Sequence, residues 1–225
     1  MIPKVIHCFW AGGPKTKLAK RCLASWKRFA PDWEIKEWNL DNSACRSDFC
    51  VAAIERKRWA VVSDYVRMWA LREYGGVYLD FDVELVKPID DLLDCEWIAS
   101  ERNVGGGVWL NPGGGIALER GSPLAVRMLE LYDRQGYQSD RAMMAVINEN
   151  LTVAMAGLTP SPRILPPEVF NPIDTRGNLH RTVVTRGIHW YAMSGADAKA
   201  RFCRWLAWHG MDWVVTAFLK VRSKR

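Results

Sequence analysis

At 225 residues the chain is long enough for one domain with a sizeable core and needs no disulfides to hold it. Hydrophobic residues at 49% and charged residues at 25% exclude the disordered and fibrous classes. The net charge of +6 is concentrated at the end, where residues 197–225 hold seven Lys or Arg against two acids.

The start of the chain lacks the charged, apolar and small-residue succession of a secretory signal, so a cytoplasmic protein is expected. Six cysteines at irregular intervals, with no C-x-x-C pair, read as reduced thiols and not as a disulfide frame or a zinc site.

In chain order, residues 4–9 form a short apolar run stopped by Gly12, Gly13 and Pro14, as a buried strand would be. Leu18, Cys22, Trp26 and Phe29 then recur at helical spacing, with basic residues between them and Pro31 ending the run. Residues 33–38 alternate as a second strand. A helical pattern from about residue 51 stops at Gly75-Gly76, where a glycine suits the left-handed position past a helix end. Further strands are expected at 96–100, near Ile164 and over 181–191, and helices at 123–135, around 141–149 and after Asp197. Alternating strands and helices predict an α/β sheet domain over residues 1–196, followed by a basic aromatic segment, 197–225.

Within this frame the stretch GGVYLDFDVELVKP sets two carboxylates, Asp80 and Asp82, in an otherwise apolar run. As an extended segment it sends Val77, Leu79, Phe81, Val83 and Leu85 to one side, and Tyr78, Asp80, Asp82 and Glu84 to the other. Carboxylates that close repel unless a cation or donors sit between them, and hard oxygens suit Mg²⁺ or Mn²⁺. A wet edge strand would show the same alternation. Asp64 and Arg67 stand three apart in AVVSDYVRMWAL and so share a helix face in an almost wholly apolar setting. A surface ion pair is the commoner fate of that spacing, but a buried pair needs a fixed partner or a ligand.

Three blocks, IPKVIHCFWAGG, AVVSDYVRMWALREYGGVYLDFDVELVKP and IHWYAMS, occur in an order and spacing that resembles the D-x-D sugar transferases of glycosyltransferase family 32. That family is related to the glucosylating domain of the large clostridial toxins. The resemblance implies a GT-A type fold, with a mixed, mostly parallel sheet flanked by helices and a C-terminal helix. It also implies Mn²⁺ or Mg²⁺ as cofactor, a UDP- or GDP-sugar donor, a glycan or lipid-linked glycan acceptor in bacterial surface polysaccharide synthesis, and retention of the anomeric configuration. Carried across, Trp10 stacks on the base, Asp64 and Arg67 hold the donor's sugar and phosphates, and Tyr78 stands beside them. Asp80 and Asp82 serve ribose and metal, with Asp80, Asp82 and Arg67 as the catalytic group, while His189 and Ser194 close over the diphosphate. Trp190 replaces a frequent second histidine and Gly195 replaces a tryptophan.

Two other readings remain. LDFDVEL also resembles the opening of haloacid-dehalogenase-type phosphohydrolases, but Val83 and Glu84 stand where those enzymes need Gly and Thr. A non-catalytic nucleotide- or glycan-binding module would keep the same positions. The aromatic run Trp205, Trp208, Trp213 and Phe218 is too short to span a bilayer and suits a membrane interface or a docked helix. Because these aromatics do not interleave with the basic residues, a nucleic-acid partner is not expected.

Overall fold

The computed structural model describes residues 1–102, 107–139, 143, 146–173 and 179–192. Strand β1 (Val5–Phe9) leads into α1 (Lys17–Phe29), whose first turn is capped by Thr16, with Oγ1 accepting from the Ala19 amide at 3.1 Å. Strand β2 (Glu34–Trp38) follows. Helices α2 (Asp48–Glu55) and α3 (Trp59–Tyr74) come next, so the single helix expected from about residue 51 is in fact two. The break is a Schellman turn: the Lys57 and Arg58 amides donate back to Ile54 and Ala53, with Lys57 left-handed at φ 55°. Glycine is the usual residue there, and a lysine gives no warning of the stop.

After α3 the chain reverses at Gly75 (φ 66°), where a Cβ would lie 2.6 Å from the Arg120 amide nitrogen. The acidic segment is also interrupted. It forms β3 (Gly76–Tyr78) and β4 (Val83–Leu85), joined by a turn in which the Val83 amide donates to the Asp80 carbonyl at 2.9 Å. The expected facing survives, since Val77, Leu79, Phe81, Val83 and Leu85 are all buried in one core cluster. Strands β5 (Trp97–Arg102), β6 (Val108–Leu110) and β7 (Ile116–Leu118) follow, the last two not expected as strands. Helix α4 (Pro123–Gln135) matches expectation, and of the helix expected around 141–149 the residues from Val146 on lie in α5 (Val146–Met155). Strand β8 (Arg163–Leu165), the one-turn α6 (Pro167–Phe170) and β9 (Gly187–His189) close the described chain. The strand expected over 181–191 is thus much shorter, with a turn at Thr182–Thr185 before it.

The main sheet runs β2-β1-β3-β7-β5-β6, with β8 on the other side of β5. It is mixed: β2, β1, β3, β5 and β8 share one direction, while β6 and β7 oppose them. Alternate residues serve two cores. Tyr78, Ile98 and Ile116 pack with α2 to α5, and Val77, Trp97 and Ala117 pack with α1. Strands β4 and β9 form a separate antiparallel ribbon. Helix α1 pins it, with Trp26 Nε1 donating to the Val83 carbonyl at 2.8 Å and Ser25 Oγ accepting from the Leu85 amide at 2.9 Å.

His7 on β1 is fully buried; its Nε2 donates to the Gly75 carbonyl at 2.7 Å and its Nδ1 accepts from Trp38 Nε1 at 3.1 Å. Both nitrogens are therefore used by the neutral ring, and burial lowers its pKa from 6.5 to about 4, with the Gly75 bond acting against the shift. The folded value lies below the unfolded one, so the neutral ring's contribution is complete above pH 6.5 and is lost as pH falls toward 4. Denaturant titrations should show the stability gap between the parent and His7→Gln shrinking by about 3 kcal/mol from pH 7 to pH 4. Parallel pH profiles would contradict this assignment.

Candidate active site

Asp64 and Arg67 sit one turn apart on α3, and Asp80 lies two residues past the end of β3, the strand beside β1. Arg67 joins them: Nη1 donates to Asp64 Oδ1 at 2.6 Å and Nη2 to Asp80 Oδ1 at 3.0 Å. Its guanidinium lies over the Tyr78 ring, 4.8 Å from the centroid, and only 3% of its side chain is exposed. Tyr78 is wholly buried with its hydroxyl 2.8 Å from Ser63 Oγ. It therefore lies directly against the Arg67 guanidinium, with its ring in the core. Both Nη atoms of Arg67 are thus engaged by carboxylates, which holds the guanidinium in one orientation at the site.

Burial pushes the Asp64 carboxyl up to about 6, with the Arg67 charge acting against it and Asp80 adding to it. Asp80 is also raised, by burial first, against the pull of Arg67 and with repulsion from Asp82. Asp82 behaves differently. Burial raises it, but His189 outweighs that and holds it below the usual range. His189 is raised in turn, its burial being offset by the Asp82 carboxylate.

Asp82 and His189 meet because β4 and β9 pair with Val83 opposite His189. His189 Nε2 lies 3.3 Å from Asp82 Oδ1, and Asp82 Oδ2 accepts from the Ala192 amide at 2.6 Å. Asp80, Asp82 and His189 each bring one ligand atom to within 4.8 Å of the others, the only such cluster among the described residues. Two carboxylate oxygens and an imidazole nitrogen suit Mn²⁺, and the carboxylates suit Mg²⁺. Gly113 leaves room for this cluster: a Cβ there would sit 2.4 Å from Asp80 Oδ2.

A polar network behind His189 was not anticipated. Asn171 Oδ1 lies 3.1 Å from His189 Nδ1, and Asn171 Nδ2 donates to the Ser100 carbonyl at 2.7 Å. Asn111 Nδ2 and the Tyr191 hydroxyl each donate to Glu101 Oε2 at 2.7 Å, and the Tyr191 ring stacks on His189 with centroids 4.1 Å apart. A proton on Nδ1 directed at Asn171 leaves Nε2 facing Asp82. Both asparagines precede a proline, Pro112 and Pro172, and that was the one signal available in the sequence.

Trp10 is half-buried at the end of β1, where Nε1 donates to the Gly13 carbonyl at 3.1 Å and the ring meets Phe81 edge-on at 5.2 Å. It thus flanks the turn that bears the two aspartates. Trp190, standing where a second histidine is frequent, turns away from the cluster and donates to Glu84 Oε2 at 2.9 Å. Ser194, Gly195 and the segment 197–225 lie outside the described residues.

Residues 16–101 match the family model described as a glycosyltransferase sugar-binding region containing DXD motif, a span holding Asp64, Arg67, Tyr78, Asp80 and Asp82. No curated protein matches the chain. Among solved structures, PaToxG Glycosyltransferase superposes with TM-score 0.51 at 17% identity, covering 69% of this chain and 71% of that one. The chain has a GT-A type fold. A glycosyltransferase involved in the glycosylation of the major capsid of PBCV-1 aligns with TM-score 0.48 at 13% identity, over 88% of this chain and 97% of that one. In this GT-A frame the D-x-D lies just beyond the carboxyl end of β3, where open α/β sheets place their ligands. No helix among the described residues is long and apolar enough to cross a membrane.

Proposed function

We infer that the protein transfers a single hexose-type sugar from a UDP- or GDP-sugar to a glycan acceptor, with Mn²⁺ or Mg²⁺ and with retention of configuration. The narrower assignment, to family 32 and to bacterial surface polysaccharide synthesis, rests on the sequence resemblance. The observation that carries the reading is the convergence of Asp80, Asp82 and His189 beside the Arg67 bridge, inside the matched region.

Asp80, Asp82 and His189 would hold the ion, which supplies a positive centre for the departing nucleoside diphosphate. The chain's own groups prepare the place. Arg67 fixes Asp80 from one side, and Asn171 fixes the tautomer and orientation of His189 from the other. Asp64, one end of the Arg67 bridge and little exposed, is an acceptor for donor-sugar hydroxyls, and Trp10 is the aromatic on which the base stacks. Ser194 is proposed to approach the diphosphate from the segment after β9.

A thermal-shift panel of UDP, GDP, CDP and ADP, each with and without Mn²⁺, tests the reading. A ligand at a hundred times its dissociation constant adds about 2.7 kcal/mol, or roughly 5 to 11 °C for a domain of this size. One nucleotide should shift the transition in a metal-dependent way, and the anomeric coupling of product made from the matching sugar donor reads retention. No shift with any nucleotide would refute the donor assignment.

A further inference from the structure

We propose that Trp109 is the floor of the acceptor subsite, on which a pyranose ring of the glycan acceptor stacks; this rests on the transferase reading. Strands β5 and β6 pair antiparallel, with Glu101 directly opposite Trp109. Opposed residues project from the same face of a sheet, so the indole and the Glu101 carboxylate stand side by side. The ladder continues past β6 through the Asn111 amide, which donates to the Ala99 carbonyl at 2.8 Å, so Asn111, two residues on, shares that face. Asn111 and Glu101 meet at 2.7 Å, and Asn111 Nδ2 lies 3.3 Å from His189 Nδ1. Trp109 is thus the outermost member of a row that runs inward from Glu101 and Asn111 to His189 and Asp82.

Two further features point to a sugar. The indole is 59% exposed and makes no hydrogen bond or ring contact with any described residue, an uncommon state for the largest apolar side chain. Beside it, Glu101 Oε2 accepts from Asn111 and Tyr191, while Oε1 receives no hydrogen bond among the described residues. A flat apolar ring next to a fixed carboxylate with a spare acceptor oxygen matches a pyranose, which has an apolar C–H face and hydroxyls around its edge. A purely apolar partner would leave that oxygen unsatisfied when covered.

The test is saturation-transfer NMR on the full chain with the methyl α- and β-pyranosides of glucose, galactose, mannose and N-acetylglucosamine, in the presence of Mg²⁺ and the nucleotide that shifts the thermal transition. The parent should saturate at least one pyranoside. Trp109→Ala should weaken its binding about tenfold or more and Trp109→Phe should recover most of it. The nucleotide-induced shift should be the same in all three proteins. Equal sugar binding in parent and Trp109→Ala would overturn the proposal, as would an absence of pyranoside binding by a parent that does bind nucleotide. A transition lowered by several degrees in Trp109→Ala with sugar binding unaltered would make the indole part of the internal packing and also overturn it. Failure of the nucleotide shift itself is a separate result that refutes the donor reading.

Discussion

Asp82→Asn is expected to slow sugar transfer about a thousandfold while leaving the fold in place. A divalent ion that stabilises the departing diphosphate by roughly 4 kcal/mol in the transition state accounts for a factor of that size. The amide keeps the shape of the side chain and an oxygen for the Ala192 amide, so the ribbon's contact to the D-x-D turn persists. What it loses is the charge that faces His189 and would face the ion. The metal-dependent part of the nucleotide shift should vanish, while the transition without ligand stays within a few degrees of the parent. Full transfer activity in Asp82→Asn would end the metal role assigned to this residue.

Arg67→Met should destabilise the protein by about 3 kcal/mol or more, because it removes one partner of a buried charge cluster and leaves carboxylates behind. Asp64 is the more exposed to this loss in energetic terms, with only 15% of its side chain accessible. Its carboxyl is already pushed up to about 6 by burial, with Arg67 pulling it down, and without Arg67 it would rise further. The folded value then lies further above the unfolded one, so stability is lost as pH rises through it, and the deficit should be larger at pH 8 than at pH 5. Arg67→Lys should fall between parent and Arg67→Met, since one ammonium cannot reproduce two divergent N–H donors. Denaturant titrations at the two pH values check this, and Asp64→Asn in the Arg67→Met background should restore part of the loss. A difference below 1 kcal/mol between parent and Arg67→Met at pH 8 would show that the bridge carries no stability.

Local patterns were legible where a short-range rule decides the outcome. Helix α1 followed from its apolar period and Pro31, and α4 from Pro123 and the glycine after Gln135. The join between α2 and α3 was hidden because a lysine, and not a glycine, takes the left-handed position. Alternation over residues 77–85 named the two faces correctly, yet it could not reveal the turn at Asp80 to Val83, since a turn of this kind preserves which side chains are buried. In the site, the spacing and apolar setting of Asp64 and Arg67 announced a buried pair. Their third member, Asp80, and the meeting of His189 with Asp82 depend on β3 beside β1 and on β4 against β9, which no local pattern encodes. Asn111, Asn171, Glu101 and Tyr191 were missed for the same reason: each is unremarkable in its own segment and gains meaning from convergence.

The turn between β3 and β4 has a consequence for how such a site can be adjusted. Asp80 is tied to the main sheet and to α3, through the Gly113 carbonyl that accepts its amide at 3.1 Å and through Arg67. Asp82 is tied to the ribbon, through its carbonyl to the Trp190 amide at 2.9 Å and its carboxylate to the Ala192 amide. Neighbours in sequence therefore answer to separate bodies of structure. A substitution in the packing of α1 against β4 can move one carboxylate, and a substitution around Gly113 can move the other, so the spacing between the two is a quantity that variation elsewhere in the chain can tune without altering either aspartate.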